Sequence, residues 1–140
     1  MNAPPLYTME ILRLAASLPD PVELERIDGT ATERSLTCGS TVSCVVRLGD
    51  DNRLEALSQS VQACAFGQAC ASVVARQASG RGRDEVALAL EQLSQWLSGN
   101  RAEPPGWPGL EALAPARSRP GRHGAILLPF RALLAAMDSA

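Results

Sequence analysis

Three observations predict an α+β protein. Valine-rich and alternating segments fill the stretch from Ala31 to Ala63, and Gly49-Asp50-Asp51-Asn52 between two of them reads as a hairpin loop. After Cys64 the period changes to that of helices. Three consecutive antiparallel strands make a meander, so the expected architecture is a small antiparallel sheet followed by helices. At 140 residues the chain is large enough for a core of its own and reads as one domain, residues 1–140.

The elements follow in order. Tyr7 to Leu18 carries Ile11, Leu14 and Leu18 at helical spacing, with Thr8 placed to cap it and Pro19-Asp20-Pro21 to stop it. Asp28-Gly29 signals a turn, and a first strand is expected over Ala31–Leu36. Thr41 to Leu48 alternates through Val42, Cys44 and Val46 as a second strand, and Arg53 to Ala63 supplies a third. Ala65 to Ser79 is small and apolar and reads as a buried helix ending at Gly80. Arg83 to Leu97 has Asp84 and Glu85 in its first turn and Val86, Leu90, Leu93 and Leu97 on one face, which predicts a second helix stopped at Gly99-Asn100. Arg101 to Pro120 is proline-rich and aperiodic, with Trp107, Leu110 and Leu113 expected to tack it to the body. A last helix is expected from His123 or Gly124 to Met137. Pro129 is tolerated only in a first turn, which predicts that its regular part begins near Leu128.

Composition excludes several classes. With 46% apolar and 20% charged residues the chain is an ordinary globular protein, and 4% aromatic content makes its core aliphatic. A net charge of −2 argues against nucleic acid as a main partner. No apolar run approaches the ~20 residues of a membrane span. Met1-Asn2-Ala3-Pro4-Pro5 lacks a basic stretch followed by an apolar core, so a cytoplasmic location with reduced thiols is expected. Four cysteines in such a compartment read as reactive or metal-binding before they read as disulfides.

Two thiols stand out. Cys38 is followed by Gly39, which permits a tight or left-handed backbone and suits a loop presenting a thiolate between strands. Cys64 lies where a strand hands over to a helix, and the partial positive charge of a helix N-terminus favours thiolate over thiol. His123, the only histidine, precedes the last helix, and imidazole suits zinc or iron beside thiolates. Cys44, inside a valine-rich strand, reads as core. Cys70 lies six residues beyond Cys64, about 120° away around a helix axis, and also reads as packing. The basic run Arg117, Arg119, Arg122 reads as a solvated loop that could stabilise thiolates or meet an acidic partner.

The islands Cys38-Gly39-Ser40, Cys64-Ala65 with Ala69-Cys70-Ala71-Ser72, and His123-Gly124-Ala125-Ile126-Leu127 resemble, in order and surroundings, the IscU/NifU/SufU-type iron–sulfur cluster assembly scaffolds. The resemblance covers about Tyr7 to Ala136. It implies a three-stranded antiparallel sheet with helices packed on one face. It implies a scaffold rather than an enzyme, holding iron, zinc or a nascent, transient iron–sulfur cluster through Cys38, Cys64 and His123, with Ser40, Gly39, Gly124 and Arg122 in support. A cysteine desulfurase is the implied partner, acceptor apo-proteins are further candidates, and either a monomer or a homodimer fits. Two family positions depart from the pattern: Ser40 stands at the aspartate and Gly124 at the third cysteine. Three ligands suit an open metal site, and a [2Fe–2S] cluster, which takes four, lacks one. The alternatives are a SufE-like sulfur acceptor and relay that binds no cluster, a binding module with vestigial thiols, and a cysteine hydrolase using Cys64 and His123, for which no partner acid is identifiable.

Overall fold

The computed structural model describes residues 7–36 and 39–140. Helix α1 spans Met9–Ala16, and Thr8 caps it as expected by accepting the Ile11 N–H at 3.2 Å. Strands β1 (Gly29–Arg34), β2 (Thr41–Leu48) and β3 (Leu54–Gln62) form an antiparallel sheet in the order β1-β2-β3. Helix α2 spans Ala65–Gln77, α3 spans Arg83–Leu97 and α4 spans Pro120–Asp138.

Alternation along β2 sets the layers. Val42, Cys44 and Val46 point into the core and are fully buried, while the cross-strand neighbours Thr32 and Ser43 join hydroxyls at 2.8 Å on the exposed side. Helices α2 and α4 cover the buried face, α4 lying over β1 and β2 and α2 beside β3. The core is mainly aliphatic, with Phe66 and Phe130 its largest fully buried side chains, each in an edge-on aromatic contact: Phe66 with Tyr7 at 5.0 Å and Phe130 with Trp107 at 4.8 Å.

Three expectations are corrected. β1 begins at Gly29, two residues before the expected start, because Asp28 does not make a free turn. Its carboxylate accepts the Leu48 N–H at 2.7 Å and pairs with Arg26, tying the strand's entry to the end of β2. The proline-rich segment is not wholly irregular, since Leu110–Ser118 winds into a 3₁₀ helix that buries Leu110, Ala112, Leu113 and Ala116. The third correction concerns α4, which starts at Pro120 and runs unbroken through Pro129.

Proline at the first helical position gives up an N–H that has no partner there anyway. Pro129 is harder to accommodate, because it removes the hydrogen bond to the Ala125 carbonyl four residues back. Gly67 of α2 faces that carbonyl closely: a Cβ at Gly67 would lie 3.2 Å from the Ala125 oxygen. Burial of Ile126, Leu127, Leu128, Phe130, Ala132 and Leu133 on either side of the proline outweighs the missing bond. Among the described residues no helix is long and apolar enough to cross a membrane.

Candidate thiol site

Three of the four cysteines lie among the described residues, and they divide sharply. Cys44 and Cys70 are fully buried in the core. Desolvation pushes the Cys44 thiol up to about 12 and raises Cys70 further still, so both remain neutral thiols, in accord with the packing role expected of them. Cys64 is only partly buried. It occupies the N-cap of α2 with extended backbone (φ −66°, ψ 173°), and its side chain makes no capping hydrogen bond. The sulfur is therefore not consumed in holding the helix end, where the first-turn N–H groups have no intrahelical acceptor.

Cys64 opens onto a cavity of about 280 Å³ lined by Gly39, Ser40, Gln62, Ala63, Cys64, Arg122 and Ala125. Each residue arrives by its element. Gln62 and Ala63 end β3 where it hands over to α2, Gly39 and Ser40 lead into β2, and Arg122 and Ala125 stand three apart on one face of α4. Gly39 has φ +73°, the left-handed conformation that glycine takes without strain, and a Cβ there would meet nothing within 4 Å. Ser40 is 6% exposed. The adjoining Cys38 lies outside the described residues.

His123 is placed differently from its neighbour Arg122. Successive helical residues are turned by about 100°, so with Arg122 on the cavity face, His123 turns toward the 3₁₀ helix. Its Nε2 lies 2.8 Å from the Ala116 carbonyl oxygen. A carbonyl only accepts, so Nε2 carries the hydrogen and Nδ1 is the ring's free acceptor when the imidazole is neutral. Neither His123 nor Gly124 lines the cavity. Among the described residues no three His, Cys, Asp or Glu side chains are grouped as for a metal ion.

The basic run also divides. Arg117 donates to the Trp96 carbonyl at 2.9 Å and lies 5.3 Å from the Trp96 ring centroid, so it is a packing residue rather than part of a solvated loop. Arg119 ends the 3₁₀ helix, and Arg122 reaches the cavity. Gln62 and Ala125 are cavity residues that sequence reasoning did not single out. The one signal for Gln62 is its place two residues before Cys64, and for Ala125 its i+3 spacing from Arg122.

A three-stranded meander backed by helices, with a half-buried thiol at the junction of the last strand and the next helix, defines a small thiol-presenting α+β protein. No family model matches the sequence, and no curated protein does. Solved structures do. A nitrogen-fixing NifU-like protein (N-terminal) from Brucella abortus is 31% identical, with 96% of this chain and 93% of that one covered and a TM-score of 0.88. A putative iron–sulfur cluster assembly scaffold protein for the SUF system from Fervidobacterium islandicum shares the fold at 19% identity and a TM-score of 0.81, over 94% of this chain and 96% of that one. A hypothetical protein does so at 20% identity and a TM-score of 0.77, over 93% and 97%. The chain belongs to the IscU/NifU/SufU-type family of iron–sulfur cluster assembly scaffolds.

Proposed function

We propose that this protein serves iron–sulfur cluster assembly as a scaffold-like carrier without turnover of its own, with Cys64 and Cys38 as the cargo-bearing thiols. The observation that carries the reading is Cys64 itself: a partly exposed thiol with no capping duty, at a helix N-terminus, facing a cavity. The cargo is iron, zinc or a nascent cluster. Two thiols leave most of a metal's coordination positions open, which suits a single ion in an open site, or sulfur carried on the thiols, better than a four-ligand cluster. A cysteine desulfurase is the partner whose persulfide would supply the sulfur.

The test is anaerobic reconstitution of the full chain with iron and sulfide. About one bound metal, or a coloured cluster, is expected in the wild type, with loss in Cys64→Ala and retention in Cys44→Ala. Equal loading of wild type and Cys64→Ala would overturn the reading.

Sulfur relay without a metal is a second reading, favoured by one observation: the described cavity lining contains Arg122 and no carboxylate. Its signature is a mass gain of about 32 Da per sulfur on Cys64 in protein that loads no metal.

A further inference from the structure

We infer that Arg122 equips the Cys64 cavity to receive an anionic sulfur species, a persulfide or polysulfide, in preference to an uncharged reagent; the inference rests on the reading of Cys64 as a cargo-bearing thiol. The lining is the first argument. Among the described lining residues Arg122 is the only one with a formal charge, and none is an acid. An anion is attracted by its guanidinium and finds up to five N–H donors in a planar fork.

The second argument is that Arg122 is uncommitted. Among the described residues its side chain makes no hydrogen bond and no ion pair. Arg117, only five positions earlier, is fixed on Trp96. Arg122 is held at the cavity by its helix alone, three residues from Ala125 on the same wall. Exposed neighbouring charges are screened by salt, whereas a partly buried cation at the cavity wall acts on whatever enters.

A cation at this place favours the chemistry. In sulfur transfer, the Cys64 thiolate attacks the terminal sulfur of a donor persulfide, R–S–S⁻. The donor's S–S bond breaks, its electron pair stays on the donor sulfur as R–S⁻, and Cys64 becomes Cys64–S–S⁻. One neutral sulfur atom moves, total charge is conserved, and no outside oxidant is needed. Two anions must meet, and the Arg122 guanidinium offsets their repulsion.

The experiment uses the full reduced chain and sodium tetrasulfide, which transfers sulfur in the same way: Cys64–S⁻ and S₄²⁻ give Cys64–S–S⁻ and S₃²⁻. The rate of the Cys64 mass gain is followed by peptide mass spectrometry and compared with the rate of alkylation by uncharged iodoacetamide. Arg122→Gln is expected to slow sulfur loading about tenfold or more, the scale of a lost charge-assisted contact, while alkylation changes less than about threefold. Arg122→Lys should keep most of the rate because it keeps the charge, and Arg119→Gln should change it by less than about twofold. An unchanged tetrasulfide rate in Arg122→Gln, or an equal fall with both reagents, overturns the inference while leaving Cys64 as a cargo thiol. Folded wild type that takes no sulfur on Cys64 overturns the inference at its root. Metal loading in the reconstitution above then decides separately whether the reading of Cys64 survives.

Discussion

Helix α4 runs from the cavity to strand β1, and its two ends are held in different ways. At the C-terminal end, Asp138 makes a two-pronged ion pair with Arg83 at 2.8 and 3.2 Å. Ser139 Oγ accepts the Thr30 N–H at 3.0 Å and shares its own proton between the Thr30 and Ala136 carbonyls, so a side chain satisfies an edge strand's backbone. Gly29 lies so close beneath that a Cβ there would run into the Ala136 carbonyl. At the N-terminal end, α4 has no side-chain cap, begins on a proline, and presents Arg122 without a side-chain partner among the described residues. One helix thus anchors the sheet at one end and furnishes the cavity wall at the other.

The two glycines flanking these ends break the comparison most directly. Gly29→Ala is expected to cost about 3 kcal/mol, because the clash is with backbone that cannot move aside. Gly39→Ala at the cavity meets open space, and its cost is only that of a left-handed alanine, about 1 kcal/mol. Urea melts of both variants check this, and equal losses would mean that the cavity end is as tightly packed as the anchored end.

Thiol reactivity sharpens the contrast next. In native protein, Cys64 should be alkylated at least about a hundredfold faster than Cys44 or Cys70, which react only through opening of the core. Peptide-resolved mass spectrometry gives the ratio, and comparable rates would contradict the burial of Cys44 and Cys70.

The smallest effect is electrostatic. Asp138→Asn should cost about 0.5 kcal/mol, the ordinary worth of an exposed ion pair. Hydrogen bonding from Arg83 lowers the Asp138 carboxyl below its ordinary value, and Arg53 and Arg26 do the same for Glu85 and Asp28. Depressed folded values mean that the contribution is fully present above the unfolded carboxylate range of about 4 and is lost as pH falls through the lower folded values. Melting temperature should fall below about pH 4, less steeply in high salt and in Asp138→Asn. A fall that is steeper in high salt would contradict the ion-pair origin.

Much of the frame was legible in the residues. Thr8 and the prolines after Leu18 bounded α1, the valine alternation of β2 set which face is buried, and the period change after Cys64 placed the start of α2. The pairing of Cys64 with a helix N-cap, and of Cys44 and Cys70 with the core, followed from the same local patterns. The errors fell where distant contacts override local preference. Pro129 argued against a helix that burial on both sides maintains, and Asp28-Gly29 resembled a turn until the partners of Asp28, on β2 and in Arg26, were known.

The site shows the same division. Sequence alone determined that the chain is an α+β protein with a thiol at the strand-to-helix junction, because hydrophobic period, capping and breakers act over a few residues. Only the tertiary structure decided that Arg122, and not His123, lines the cavity beside Cys64. The start of α4 at Pro120 sets the helical phase, and one residue of phase turns a side chain by about 100°. That phase is fixed by how α4 packs on the sheet, on α2 and on the 3₁₀ helix, contacts among segments far apart in the chain.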